Sequence, residues 1–245
     1  MMENIMNRIG SSEGKGLNGN QLKLIAISAM FLDHLAWWIL PLKSVPGELL
    51  HILGRIVAPT MCYFVAEGYF YTRNVKKYIL RLIFFALLSH FPYIYYFKHS
   101  WYETTGIMWG LAMGLIALAV NQKEEYRDWQ KWLALVICCI LAGLGNWSLT
   151  PVVWIVLFGH FRGDFRKQMI AFLTFGWLFF SLPMCIIRGW QYAYQFGIIL
   201  AVPLLKVYNG TRGRKSVFMK WIFYIFYPLH FIILIWGGQL GLWGR

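Results

Sequence analysis

Charge is scarce in this chain, and negative charge is scarcest. Only 13% of the 245 residues are charged, with 10 Asp and Glu against 23 Lys and Arg. A soluble domain of this length carries about twice that charged fraction. The shortage of charge, together with 59% hydrophobic residues, excludes an ordinary soluble domain.

Familiar signatures of soluble enzymes and metal sites are missing as well. The four cysteines lie inside apolar runs without metal-ligand spacing, so we predict packing roles for them and no metal. The sequence contains no GxSxG, no phosphate-binding GxxxxGK[ST], no HExxH and no dinucleotide fingerprint. Residues 1–20 are polar and lack the apolar core of a signal peptide, so we expect a flexible tail before one transmembrane domain over 21–245.

Long apolar segments are the feature that the chain does have. They recur along its whole length, and most approach the roughly 20 residues that a helix needs to cross about 30 Å of hydrocarbon. We therefore predict an all-α, polytopic integral membrane helical bundle of about nine spans. The predicted spans are 21–41, 49–72, 78–97, 104–121, 132–148, 150–161, 169–187, 191–206 and 217–238. The sixth is short enough for a re-entrant segment.

The basic residues alternate between the connections that join these segments. One side of the predicted membrane collects 18 Lys and Arg, the other collects 4, and Arg55 remains within a span. Basic residues are retained in the cytoplasm, so this asymmetry predicts a cytoplasmic N-terminus in a multi-pass plasma-membrane protein. The same asymmetry explains the net charge of +13 by membrane topology. We therefore expect no nucleic-acid partner.

Ionisable side chains occur in the middle of four spans, where each charge costs roughly 2.5–3.5 kcal/mol on insertion scales. Counted at 1.5 Å per residue, Asp33, His34, Arg55, His90 and His230 fall in one layer about 20 Å from the cytoplasmic end. Asp33 is expected to pair with Arg55, the cation in mid-span. His34 is then free to act as a general base near neutral pH. The alternative is that His34 only bonds a neighbouring helix.

Prolines lie near this polar layer in three spans. Pro59 frees the carbonyl of Arg55, because proline has no N–H to donate to the residue four positions earlier. Together with Pro92 and Pro228, it favours a cavity beside the polar layer over three separate packed kinks. Glu67, the other acid within a span, fits either an interfacial pair with a loop lysine or a place in the site.

Several ordered sequence blocks resemble the TraX family of membrane acetyltransferases. They are LKLIA at 22–26, FLDH at 31–34, GRIVAP at 54–59, AEGY at 66–69, TRN at 72–74, KY at 77–78, LRL at 80–82, YNG at 208–210, RG at 212–213 and FYPLH at 226–230. The resemblance covers the first three and last two spans best. The first block is also distantly similar to the opening of the acyltransferase-3 membrane proteins.

This resemblance implies acyl transfer, with cytosolic acetyl-CoA as the donor. The family's named activity is N-acetylation of conjugative pilin. The acceptor here stays open as an amine or hydroxyl on a peptide, a pilin-like protein or an envelope glycan. The expected catalytic residues are His34, Asp33, Arg55, His230 and His90. Expected donor-binding residues at the cytoplasmic side are Arg73, Lys77, Arg81, Arg212 and Glu67.

Two further function classes remain open from the sequence. A proton-coupled transporter or flippase would relay protons through Asp33, His34 and Glu67, but such proteins usually contain internal repeats, and none is visible. A non-catalytic assembly factor for an envelope structure or pilus needs no ionisable layer at this depth.

Overall fold

Helices make up the regular structure of residues 16–41, 44–214 and 216–242, the parts of the chain that the computed structural model describes. The α-helices are α1 (Gly19–Ile39), α2 (Val45–Gly54), α3 (Val57–Tyr71), α4 (Val75–Phe97), α5 (Ile107–Asn121), α6 (Asp128–Ala142), α7 (Thr150–His160), α8 (Phe165–Gly176), α9 (Leu182–Arg188), α10 (Ala201–Lys206) and α11 (Val217–Gln239). A π-helical turn joins α8 to α9, and a 3₁₀ segment, Trp190–Leu200, precedes α10. The all-α prediction is confirmed over these ranges.

Five helical stretches are long and apolar enough to cross a membrane. They are Gly19–Ile39, Val45–Tyr71, Val75–Phe97, Phe165–Arg188 and Val217–Gln239. Two shorter apolar helices, α5 and α7, are largely buried and pack against each other. Each of the nine predicted segments contains helix, and the short sixth segment is the 11-residue α7. This architecture is consistent with a multi-pass membrane helical bundle.

The second long stretch is broken into α2 and α3 at Arg55 and Ile56. There the backbone N–H of Arg55 bonds the carbonyl of Ile52 at 3.1 Å, three residues back instead of four. Pro59 accounts for the break, because it cannot donate to the Arg55 carbonyl. Pro92 and Pro228, by contrast, lie inside the continuous helices α4 and α11. Of the three prolines near the polar layer, one therefore breaks its helix.

The start of α1 is capped by the loop that precedes α11. The backbone N–H of Gly19 donates to the carbonyl of Thr211 at 2.8 Å, and the side chain of Asn20 donates to the carbonyl of Arg214 at 3.0 Å. Asn18 completes a capping box with Gln21. These bonds satisfy first-turn donors that a helix cannot satisfy itself, and they join the first span to the last.

Connections rich in basic residues lie at one end of the bundle, which we call the basic end. It comprises the start of α1, the connections 72–74, 122–127, 161–164 and 207–214, and the adjoining helix turns, which include residues 64–71 and 75–81. Gly19 lies against Phe64 and Tyr208, and Arg162 lies against Phe70. Because these contacts bring the connections together, the alternation of basic residues along the sequence corresponds to an asymmetry between the two ends of the structure.

Gly54 of α2 lies directly against Asp33 of α1. A methyl group added there would lie 2.4 Å from Cγ of Asp33, a separation that forces the helices apart. We expect Gly54→Ala to lower thermal stability, at a cost of about 1–3 kcal/mol or more for overpacking. Leu53→Ala is the matched control, because the Leu53 side chain is exposed. Equal melting temperatures for the two variants in detergent would contradict this account of the contact.

Candidate functional site

A buried carboxylate lies at the centre of the polar layer. Asp33 is 4% exposed and accepts a hydrogen bond from Nη2 of Arg55 at 2.8 Å. The predicted pairing of Asp33 with Arg55 is present. The other carboxylate oxygen of Asp33 lies 2.6 Å from Nδ1 of His51, which is not among the site residues predicted from the sequence. Since an ionised carboxylate can only accept, Nδ1 of His51 is the donor.

Arg55 uses its remaining donors to hold other elements around Asp33. Its Nε donates to the carbonyl of His51 at 3.2 Å, and its Nη1 donates to the side chain of Gln195 at 3.1 Å. The guanidinium also lies 5.3–5.4 Å from the ring centres of Tyr194 and Trp147. The cation in mid-span is therefore compensated by one carboxylate, two carbonyl oxygens and two aromatic faces.

His34 projects from α1 toward α11 and forms a second pair. Its Nδ1 lies 2.9 Å from Nε2 of His230, and Nδ1 of His230 lies 3.0 Å from the carbonyl of Phe226. A carbonyl accepts, so Nδ1 of His230 carries the hydrogen. In the neutral pair Nε2 of His230 is then the acceptor and Nδ1 of His34 the donor. This tautomer leaves a lone pair on Nε2 of His34.

Aromatic rings surround the two imidazoles. Phe231 lies 5.0 Å and Phe97 5.7 Å from the His34 ring, centre to centre. The hydroxyl of Tyr96 donates to the backbone carbonyl of His34. Tyr96 also lines a groove of about 500 Å³ between α1, α4 and α11, together with Trp38 and Ile235. None of Asp33, His34, Arg55 and His230 lines this groove, and only one proline breaks its helix, so the cavity beside the polar layer stays a prediction.

The structure does not bring His90 to this layer, which corrects the prediction made from depth. Its Nε2 lies 2.9 Å from the carbonyl of Trp101 in the connection that follows α4. The buried face of α4 includes Phe85, Ser89 and Tyr96, and His90 follows Ser89 by one residue, or about 100° around the helix. The number of residues from the span end predicts the depth of His90, but it does not predict the direction of its side chain.

The residues expected to bind the donor lie at the basic end in different surroundings. Glu67 forms two bonds with Arg162, at 3.0 and 3.4 Å, so its partner is a loop arginine instead of a loop lysine. Arg73, Lys77 and Arg212 are exposed, and Arg81 is partly buried. Arg81 and Arg212 both lie within electrostatic range of the phenol of Tyr78. The structure thus groups two of the five and leaves Glu67 in an ion pair of its own.

Comparisons with known proteins agree with the resemblance of the sequence blocks. Residues 18–236 match the protein family described as "TraX protein", and this range includes both polar pairs. A protein of Dichelobacter nodosus named "Probable fimbrial assembly protein FimC, serogroup H1" is 28% identical over 233 residues, which cover 87% of this chain and 93% of that protein. No solved structure matches the chain. Because the family match extends over most of its length, the chain belongs to the TraX protein family.

Proposed function

We propose that this protein is a membrane-embedded acetyltransferase that moves an acetyl group from cytosolic acetyl-CoA to an amine or hydroxyl acceptor. The observation that supports this best is the hydrogen bond between His34 and His230. It leaves Nε2 of His34 free to accept a proton within an apolar bundle. Membership of the TraX family supports acetyl as the transferred group.

The chemistry that this arrangement supports is direct transfer. Nε2 of His34 removes a proton from the acceptor amine or hydroxyl, which then attacks the thioester carbonyl of acetyl-CoA. The tetrahedral intermediate collapses, and the carbon–sulfur bond breaks. The thiolate takes the proton from His34 and leaves as coenzyme A, while the acceptor retains the acetyl group. A positioned base of this kind contributes about 10²–10⁴-fold to the rate.

His230 and the Asp33 network have supporting roles in this proposal. When His34 becomes an imidazolium, the bond from its Nδ1 to His230 becomes charge-assisted, which stabilises the developing charge. Asp33, Arg55 and His51 do not touch the reacting atoms. They fix α1 against α2, and so they set the rotation of α1 that brings His34 to His230.

The basic end supplies the charge that would attract the donor from the cytoplasm. Coenzyme A carries several phosphate charges, and Arg73, Lys77, Arg81 and Arg212 all belong to this end. Glu67 contributes indirectly, because its ion pair fixes Arg162 there. His34 lies about 20 Å along α1 from this end, so the thioester arm would have to reach between the helices.

The donor route requires the basic end to face the cytoplasm. In a cysteine-free background, single cysteines at positions 76, 127 and 214 should be protected from an impermeant thiol reagent in intact cells. Cysteines at 98 and 188 should be labelled, because the positive-inside rule places them outside. Labelling at 214 in intact cells would reverse the topology and with it the cytoplasmic donor site.

Two other functions remain as candidates. The name of the Dichelobacter nodosus relative favours a role in fimbrial or pilus assembly, which requires no catalysis. A proton-coupled transporter or flippase would need Asp33 and Glu67 to exchange protons, whereas both are held in ion pairs with arginine. Acceptor classes that suit the assembly name are a peptide, a pilin-like protein or an envelope glycan.

The deciding experiment uses purified protein in lipid nanodiscs with acetyl-CoA labelled on the acetyl group. Release of coenzyme A thiol and transfer of label to envelope peptides or glycans are the results expected of a transferase. If neither transfer nor thioester hydrolysis occurs, catalysis is excluded and the assembly role remains. Proton uptake by proteoliposomes that depends on Asp33 would instead favour the transporter.

A further inference from the structure

Three cations from separate elements lie in the same region of the basic end. They are Lys23 on α1, Arg81 on α4 and Arg212 in the loop before α11. The guanidinium of Arg212 lies within electrostatic range of the Lys23 ammonium. Arg81 and Arg212 both lie within electrostatic range of the phenols of Tyr78 and Tyr224. The five side chains therefore form one neighbourhood, which we call the cation cluster.

Backbone bonds hold Arg212 in this cluster. Its carbonyl accepts from the amide of Asn20 at 3.1 Å, one turn before Lys23. Asn18 lies so close to Gly213 that a methyl group added at that glycine would meet its side-chain oxygen at 2.4 Å. Gly213 also has a φ of +83°, which suits glycine. The loop is thus folded tightly onto α1, and Arg212 is positioned by the backbone.

The other two cations are partly buried against aromatic rings. Lys23 Nζ lies 4.4 Å from the ring centre of Phe223 and 5.6 Å from that of Phe64. The guanidinium of Arg81 lies 5.6 Å from the ring centre of Tyr78. Nε of Arg81 is buried and has no hydrogen-bond partner among the described residues. A buried guanidinium donor without an acceptor is costly.

The acids of the described chain are engaged elsewhere or form no ion pair with the cluster. Asp33 binds Arg55 and His51, Glu67 binds Arg162, and the remaining ion pairs are on exposed connections. Within the described ranges no ion pair joins Lys23, Arg81 or Arg212 to a carboxylate. Among the residues that the structure describes, these three cations, of which Lys23 and Arg81 are partly buried, therefore have no paired carboxylate.

From this geometry we infer that Lys23, Arg81 and Arg212 form a binding site for a phosphate or diphosphate group. An arginine fork binds two phosphate oxygens in parallel, and the lysine adds a point charge. The inference rests on the proposed function only in naming the donor's diphosphate as the occupant. It adds Lys23 to the expected donor site and does not require Arg73 or Lys77. The headgroup of an anionic lipid offers the same chemistry.

The first test uses inorganic pyrophosphate as the probe and thermal unfolding as the readout. In phosphatidylcholine nanodiscs, pyrophosphate should raise the melting temperature of the wild-type protein above that in sodium chloride of equal ionic strength. Lys23→Met removes like-charge repulsion, so its melting temperature without anion should equal or exceed that of the wild type, while the rise with pyrophosphate is lost. A purely structural role for Lys23 would give a lower melting temperature and an unchanged rise.

The second test measures binding of coenzyme A by calorimetry in the same nanodiscs. Arg81→Met and Arg212→Met should each weaken binding at least about tenfold, the loss expected for a charge-assisted phosphate bond. Lys76→Met is the control, because Lys76 is an exposed cation of the same end outside the cluster. Wild-type affinity in both arginine variants, with no pyrophosphate effect in the first test, would overturn the site.

Two further outcomes distinguish coenzyme A from a lipid headgroup as the source of the phosphate, and the anion site from the proposed acetyltransferase function. If the wild type ignores coenzyme A but retains added phosphatidylglycerol through the three cations, the site binds a lipid headgroup. That outcome keeps the anion site and removes the donor assignment. If coenzyme A binds through the cluster but no acetyl transfer occurs, the anion site stands while the proposed catalytic function fails.

Discussion

Replacing His34 with alanine should lower the acetyl-transfer rate by about 10²–10⁴-fold while the protein still inserts and still binds its donor. The expected loss follows from removing Nε2 of His34, which the bond to His230 leaves as a proton acceptor. Donor binding should survive, because the cation cluster lies at the basic end, about 20 Å along α1 from His34. Single-turnover release of coenzyme A thiol measures the effect, and size-exclusion chromatography verifies the fold.

His90→Ala is the matched control for this experiment, because the His90 imidazole bonds the Trp101 carbonyl away from the polar layer. It should transfer acetyl at close to the wild-type rate. Near-native transfer by a well-folded His34→Ala protein would rule out the base role. A folded His51→Gln protein that had lost transfer, with His34→Ala unaffected, would move that role to the imidazole bound to Asp33.

Asp33→Asn should cost about 3–5 kcal/mol of stability, because it leaves the Arg55 guanidinium buried without its counter-charge. Asparagine also replaces one acceptor oxygen with a donor group, so its side chain cannot accept hydrogen bonds from both His51 and Arg55 in the present geometry. Arg55→Met should cost a similar amount, since the carboxylate is then left uncompensated. Chemical denaturation in mixed micelles, or folded yield after purification, provides the measurement.

The double variant Asp33→Asn with Arg55→Met should be less destabilised than the sum of the singles, because neither charge is left alone. Asp164→Asn is the control, since Asp164 and Lys167 form an exposed pair of the kind that contributes about 0–1 kcal/mol. Single variants at Asp33 and Arg55 with wild-type stability would show that the buried pair does not hold α1 against α2.

The Asp33–Arg55 pair could be predicted from the sequence because few partners were possible. One cation lies in mid-span, and a buried carboxylate requires compensation. His51 was missed because the second span was expected to begin at residue 49, which would place His51 at the membrane surface. The helix begins at Val45 instead. A usable signal was present, because His51 and Arg55 are four residues apart and therefore share a helix face.

The positions of the Gln195 and His90 side chains could not be predicted from the sequence, for a different reason. Gln195 is a neutral residue in a 3₁₀ segment, and nothing in its neighbourhood of the sequence indicates that it would bond Arg55. For His90, the number of residues from the span end gave a level, but the level does not determine the rotation of the helix. Rotation depends on which side of α4 packs against its neighbours, and that depends on the tertiary contacts of the whole bundle.

Arg55, at the break between α2 and α3, must be compensated while the chain is still being synthesised. Arg55 would enter the membrane while most of the later helices are still unsynthesised, so Gln195, Tyr194 and Trp147 cannot yet compensate it. Asp33 and His51 are available, because both precede Arg55 in the chain. The first two spans should therefore insert as one hairpin, already neutral at its centre. The later helices then pack around a preformed polar core.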